Sequence, residues 1–178
     1  MPAVSPVPVY TLEPLNDIHD RATFSCGVAR LDDYLRRQAR QDLSRNLAAV
    51  FVLTADGRTI AGYYALSAHS ILAEQLPEAL GRKLPRFPLP VTLLGRMAVS
   101  NALRGQRLGE LLLMNALERS WRGSKQVASW AVIVDAKLGA RDFYLKYGFA
   151  PLPSQPHRLY LPMASIAKLF LRDHRPGK

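Results

Sequence analysis

Cysteine is almost missing from this chain: of 178 residues, only Cys26 carries a thiol. A lone thiol makes no intrachain disulfide and no cysteine metal cluster, so a reducing cytoplasm is the expected home. The four histidines, His19, His69, His157 and His174, are scattered with no cysteine or carboxylate at metal-ligand spacing, and no metal site is expected. No segment approaches the ~20 apolar residues of a membrane span, and the start MPAVSPVPVY has neither the basic nor the apolar region of a secretory leader. Export by that route and insertion into a membrane are therefore not expected. Internal repeats, low-complexity tracts and breaks in composition are also missing. Residues 1–178 are expected as one domain, with 1–8 an extended proline-rich start and 172–178 a basic tail. A chain of this length buries roughly 70% of its unfolded surface. The last shortage is acidic: 14 Asp plus Glu face 24 Lys plus Arg, leaving +10. Such a balance favours a polyanionic partner, although a merely basic cofactor-binding enzyme fits the charge as well.

Hydropathy patterning predicts alternating strands and helices. An edge strand is expected over Val9–Leu12, ended by Pro14. Leu31, Tyr34, Leu35, Ala39 and Leu43 form one helical face, with Arg30, Arg36, Arg37, Arg40 and Arg45 on the remainder. Two readings of those arginines stand level: a solvated face partly paired with Asp32, Asp33 and Asp42, or a footprint for nucleic-acid phosphates. Ala48–Ala55 and Thr59–Ser70 are strand-like and separated by Asp56-Gly57-Arg58, a hairpin signal. A helix-like piece at Ala73–Leu80 and an extended connector at Pro85, Pro88 and Pro90 follow. Beyond the central stretch, Gln126–Asp135 reads as a buried strand and Leu138–Tyr147 as a short helix capped by Gly148. Phe149–Pro153 with His157–Leu161 reads as a last hairpin, and Ser165–Leu171 as a terminal helix.

The central stretch is 91–120. Val91–Val99 predicts a buried strand, and Leu108, Leu112, Leu113, Ala116 and Leu117 recur at helical spacing. Between them lies Arg104-Gly105-Gln106-Arg107-Leu108-Gly109, and the helix is expected to begin near Gly105. Unpartnered N–H groups and the positive end of the helix dipole, flanked by Arg104 and Arg107, favour a phosphate or pyrophosphate. No Gly-Lys-Ser/Thr closes the loop, so it is no Walker loop; the order G-x-G-x-x-G of dinucleotide folds is missing too.

The segment resembles the acyl-CoA loop of the GNAT acyltransferase superfamily, Gln/Arg-x-x-Gly-x-Gly/Ala between a strand and a helix. It departs once: Arg107 takes the first glycine position, where a side chain is tolerated if the backbone keeps a negative φ. A second motif, Ala140-Arg141-Asp142-Phe143-Tyr144 through Gly148-Phe149, is similar to the superfamily's Ala-x-x-Phe-Tyr-x-x-x-Gly-Phe. Phe24-Ser25-Cys26-Gly27, Leu31-Asp32-Asp33-Tyr34-Leu35, Gly62-Tyr63-Tyr64-Ala65-Leu66-Ser67 and Gly95-Arg96-Met97-Ala98-Val99 resemble the TacT-like GNAT toxins, so the likeness covers about residues 10–163.

The resemblance implies an α/β GNAT fold, with a mixed central sheet of about six to seven strands flanked by helices. It implies acetyl-CoA as co-substrate, aminoacyl-tRNA as acceptor, a ribbon-helix-helix antitoxin and a homodimer. It places acetyl-CoA on Met97, Ala98, Val99, Arg104, Gly105, Gln106, Arg107, Leu108, Gly109 and Glu110. Tyr144 becomes the proton donor to the departing thiolate, since a phenol of pKa ~10 is protonated at neutral pH; packing beside Phe143 and Phe149 is its structural alternative, and Tyr147 the weaker candidate. Arg30, Arg36, Arg37, Arg40, Arg45 and Arg96 are the candidate RNA contacts, Arg96 being readable equally as half of a buried ion pair. No acidic pair obviously converges as a general base, although Glu74, Glu110 or Asp135 can approach in three dimensions. An α-amine of pKa ~8 needs little help, whereas a lysine near ~10.4 needs more. Asp135 is open between orienting a substrate or water and a capping or ion-pair role. Cys26 is expected to be buried. An acetyltransferase of a small amine or protein amine without toxin action is the enzymatic alternative, and a non-catalytic binding module the alternative from another class.

Overall fold

The computed structural model describes residues 5–137 and 139–171; Leu138, His174, the basic tail and the first residues of the proline-rich start lie outside the described residues. A seven-stranded mixed sheet is flanked by helices. Its strands are β1 (Thr11–Pro14), β2 (Ala49–Thr54), β3 (Gly62–Ile71), β4 (Leu89–Val99), β5 (Ala131–Asp135), β6 (Ala150–Leu152) and β7 (Gln155–Pro162), in the order β1-β2-β3-β4-β5-β7-β6. This bears out the expected fold class. The helices are α1 (Ala29–Asp33), α2 (Ala39–Ser44), α3 (Glu78–Gly81), α4 (Leu108–Gly123), α5 (Arg141–Lys146) and α6 (Met163–Leu171).

Chain contacts divide into two compact units, one of residues up to Ala65 with Arg96–Leu113, the other of Leu66–Gly95 with the chain from Met114. In the first unit, β1 pairs antiparallel with β2 from Thr11↔Thr54 to Pro14↔Phe51. The expected edge strand is therefore shifted: Pro14 sits inside it, at its last position, where an edge tolerates a missing donor. Phe24, Tyr34, Leu35, Ala39, Val50, Val52, Tyr63 and Ala98 form this unit's core. Gly62 is required by close approach, because a Cβ there would lie 2.9 Å from the Ala98 carbonyl oxygen and 2.9 Å from Leu112 Cδ1. The Asp56-Gly57 turn holds Gly57 at φ +77° while Asp56 accepts the N–H groups of Arg58 and Thr59. Those bonds favour the ionised carboxyl, with Thr59 acting most strongly, and keep Asp56 well below the usual carboxylate range.

In the second unit, β4 and β5 run parallel from Thr92↔Val132 to Leu94↔Val134, as a helical crossover requires. β7 is antiparallel to both β5 and β6. Ile71, Leu76, Leu89, Val91, Ile133, Leu152 and Tyr160 are packed together here. Trp121 of α4 stacks on Phe170 of α6, with ring centroids 5.8 Å apart.

Several boundaries differ from the expected ones. The basic helix begins at Ala29 and widens into a five-residue π-helical turn, Tyr34–Gln38, between α1 and α2. The Ala73–Leu80 piece is a short 3-10 turn, Ala73–Gln75, and then α3, split at Leu76-Pro77 because proline suits a helix start and not its interior. The strand expected from Gln126 begins only at Ala131, and the helix expected from Leu138 begins at Arg141. Gly148 is the left-handed cap, at φ +94°.

Candidate active site

The nucleotide-type loop is sharper than expected. A 3-10 turn at Asn101–Leu103 follows β4, and α4 starts at Leu108 instead of near Gly105. The delay has a local cause: Gly105 lies at φ +83° and Arg107 at φ +59°, both left-handed, so neither continues a right-handed helix. The condition of a negative φ at Arg107 is thus not met. This non-glycine residue holds the turn in the conformation that a glycine adopts freely, at a cost of roughly 1–2 kcal/mol. A Cβ added at Gly105 meets nothing within 4 Å, so glycine is needed there for its backbone and not for space. The first α4 bond runs from the Leu111 N–H to the Arg107 carbonyl. The N–H groups of Leu108, Gly109 and Glu110 precede it, at the positive end of a sixteen-residue helix. Arg107 and Gln106 are exposed beside them. Such a set fits the diphosphate of a CoA thioester; Glu110 in the same turn is the one group of opposing charge.

Arg104 is tied to the protein. Its Nη2 donates to the Cys26 carbonyl at 2.8 Å, and a Cβ at Gly27, itself at φ +86°, would stand 3.0 Å from that nitrogen. The 24–27 loop is held on other sides as well. The Asn101 N–H donates to the Ser25 carbonyl at 2.8 Å, the Cys26 N–H to Asp32 Oδ1 at 2.9 Å, and Arg36 Nη2 to the Phe24 carbonyl. This short loop therefore ties the basic helix to the phosphate-type loop. The sequence motif Phe24-Ser25-Cys26-Gly27 does not itself announce that role; the one local signal is Gly27, held at φ +86°. Cys26 is buried as expected, and burial, with the Asp32 carboxylate as the next cause, pushes its thiol up to about 11.

The arginines of the basic helix separate into two groups. Arg36 holds Phe24, and Arg40 pairs with Asp17 at 2.6 Å. Arg30, Arg37 and Arg45 are exposed and have no ion pair among the described residues. Asp32, expected as a surface partner, is buried under Cys26. Arg96 is half-buried and, among the described residues, is not half of an ion pair: its guanidinium lies over the Tyr34 ring, 3.7 Å from the centroid. Along the same strand, pairing with β5 ends at Leu94 while β4 continues to Val99, through Met97 and Ala98.

In the second unit, Tyr144 lies in α5, buried, with Phe143 and Phe149 edge-on at 5.2 and 5.6 Å. Burial raises its phenol to about 12, so it keeps its proton throughout the physiological range. The Tyr144 carbonyl accepts the N–H groups of Tyr147 and Phe149, fixing the turn that follows. Tyr147 packs against Phe143 at 5.1 Å, in keeping with a structural role. Asp135 takes the ion-pair reading: Arg158 donates to both its oxygens, at 2.7 and 2.9 Å, and reaches His69 Nε2 at 3.2 Å. Because arginine only donates, His69 Nε2 accepts in that contact. Arg158 is also the main reason that Asp135 sits below the usual carboxylate range. No group of three or more metal-ligating side chains, and no helix long and apolar enough to cross a membrane, occurs among the described residues.

The acetyltransferase (GNAT) domain family matches residues 46–151. The probable toxin TacT of Sinorhizobium fredii is 32% identical over 170 residues, covering 89% of this chain and 94% of that protein. A tRNA-acetylating toxin of Mycobacterium tuberculosis is 35% identical over 157 residues, covering 88% and 93%. Among solved structures, AtaT complexed with acetyl-methionyl-tRNAfMet has a TM-score of 0.84 at 28% identity, covering 91% of this chain and 99% of that one. AtaTR bound with acetyl-CoA has a TM-score of 0.79 at 28% identity, covering 90% and 98%. The chain belongs to the GNAT acetyltransferase family, on the branch of the TacT toxins.

Proposed function

We propose that this protein transfers the acetyl group of acetyl-CoA to the α-amine of an aminoacyl-tRNA and so acts as a translation-blocking toxin. The observation that carries the reading is the left-handed Gly105–Arg107 loop opening α4, in a chain that matches tRNA-acetylating toxins along almost its whole length. The family match runs through residues of both compact units, which supports one domain over 1–178.

Met97, Ala98, Val99 and the 104–110 loop are the acetyl-CoA contacts in this reading. Leu108, Gly109 and Glu110 offer backbone N–H groups to the diphosphate, with Gly105 and Gln106 shaping the turn and Arg107 adding charge. β4 around Met97–Val99 offers an N–H to the acetyl oxygen, stabilising the oxyanion as it forms. The neutral amine attacks the acetyl carbon, the new C–N bond forms and the C–S bond breaks. Tyr144 gives its proton to the departing thiolate, and the nitrogen loses a proton to water. A phenol raised to about 12 remains protonated at working pH, and an α-amine, of pKa ~8 when free and lower beside the aminoacyl ester, has a substantial neutral fraction without a dedicated base.

Arg30, Arg37 and Arg45 are the main RNA contacts of the basic helix in this reading, with Arg36 and Arg40 contributing charge while engaged in the fold. A cytoplasmic location, a homodimer and control by a ribbon-helix-helix antitoxin belong to the same proposal. The test is transfer of labelled acetyl to a pool of charged tRNA, with uncharged tRNA and ribosomal protein as parallel acceptors and a series of salt concentrations. Label on charged tRNA alone, falling as salt rises, is expected. Label on protein or small amines only would give the non-toxin acetyltransferase instead.

A further inference from the structure

Arg96 is a half-buried cation in the middle of a strand, and among the described residues its guanidinium meets only an aromatic face. Among the described residues its guanidinium has no carboxylate within ion-pair distance and makes no hydrogen bond. A cation placed this way is normally paired, because removing water from it is unfavourable unless another group replaces that water. Here the Tyr34 ring covers one face of the guanidinium and leaves the in-plane N–H groups uncommitted.

Tyr34 is itself rigidly placed. It is 3% exposed, stacks on Tyr63 at 6.3 Å and 20°, and Tyr63 is fixed by its hydroxyl on the Leu31 carbonyl at 2.7 Å. The Tyr34 hydroxyl is buried and makes no hydrogen bond of ordinary geometry among the described residues; burial, and next the nearby Asp42 carboxylate, push its phenol up to about 12. Tyr34 also begins the π-helical turn that interrupts the basic helix, a distortion found disproportionately where helices serve a site.

We infer that Tyr34 is a positioning residue that holds Arg96 as the ligand of the 3′-terminal phosphodiester of the acceptor RNA. The inference rests on the aminoacyl-tRNA reading above. An amine brought to the acetyl group beside Met97–Val99 trails the end of its RNA behind it, and Arg96 is the next residue along that strand. A planar fork of donors matches two phosphate oxygens at once, which a lysine at this position does not. The stack on Tyr34 fixes the fork before RNA arrives, so less freedom is lost on binding.

The test uses the full-length protein and the variants Tyr34→Leu, Tyr34→Phe and Arg96→Gln. Initial rates on charged tRNA are measured across a salt series, with acetyl-CoA affinity by calorimetry. Tyr34→Leu and Arg96→Gln are expected to raise KM for charged tRNA about tenfold while kcat and acetyl-CoA affinity stay within about twofold. The slope of log(kcat/KM) against log salt should become shallower by about 0.7, the loss of one phosphate contact on a single strand. Tyr34→Phe keeps the ring and should match the wild type. An unchanged KM and slope in Arg96→Gln would overturn the inference, whatever the fate of Tyr34→Leu as a folded protein. Equal losses in Tyr34→Phe and Tyr34→Leu would overturn the positioning role of the ring. Wild-type protein inactive on charged tRNA would remove the substrate reading and this inference with it; active wild type with indifferent variants would remove the inference alone.

Discussion

Two strand arginines of this protein are used in opposite ways. Arg158 in β7 is closed off: both oxygens of Asp135 accept from it and His69 lies against its remaining edge. Among the described residues, the guanidinium of Arg96 in β4 has only the face of Tyr34. A closed network stabilises the chain that contains it and offers nothing to a ligand, whereas an open cation costs stability until something binds. The same contrast separates Arg36 and Arg40, engaged with Phe24 and Asp17, from the exposed Arg30, Arg37 and Arg45.

The largest expected effect comes from the unit that holds the closed network. Tyr144→Phe should lower kcat by about a hundredfold or more, the usual scale for a lost general acid, with acetyl-CoA affinity within about twofold. The loss should be uniform from pH 6 to 9, because a phenol raised to about 12 does not titrate in that window. A kcat within threefold of wild type would leave Tyr144 a packing residue between Phe143 and Phe149.

Arg107→Gly should separate the two kinds of arginine by sign. The left-handed backbone becomes comfortable, so thermal stability should rise by about 0.5–1 kcal/mol, while acetyl-CoA binding weakens severalfold as a cation leaves the diphosphate. A melting curve and a titration read the two effects independently. Tighter binding of acetyl-CoA would show that Arg107 serves the turn and not the ligand.

Asp135→Asn is the smallest change and the one that tests closure. The pair is partly exposed, side chains 21% and 40% for Arg158 and Asp135, so the expected loss is about 0.5–1 kcal/mol with acetyl-CoA affinity unaltered. Its pH dependence has a definite sign. A carboxyl whose folded pKa lies below the unfolded value contributes stability that is present above ~4 and disappears as pH falls through the folded pKa. The Asn variant should therefore lose part of the acid slope of wild-type stability between pH 5 and 2. A drop in turnover beyond tenfold would instead place Asp135 in the chemistry.

Much of this was legible in the sequence, and the failures have physical reasons. Alternating strand and helix periods set out the order of the elements along the chain, and Gly57 and Gly148 marked turns through their left-handed backbone. The family was readable from the 104–109 and 140–149 segments, and the comparisons bear it out. The π-helical turn was not legible, because Tyr34–Gln38 has the composition of ordinary helix. Nor was the start of α4: Gly105 announces one left-handed residue, but nothing in the letter Arg announces the second at 107. Contacts such as Arg96 on Tyr34, Asp135 with Arg158 and Arg104 with Cys26 join residues remote in sequence, and only tertiary structure chooses among their possible partners.

The burial of Cys26 has a practical side. With its thiol enclosed and raised to about 11, the chain's only sulfhydryl is hardly ionised near neutral pH and hardly reachable. A chromogenic disulfide reagent added to the folded enzyme should therefore colour only with the CoA set free at each turnover. Product release can be followed continuously against an almost silent protein background.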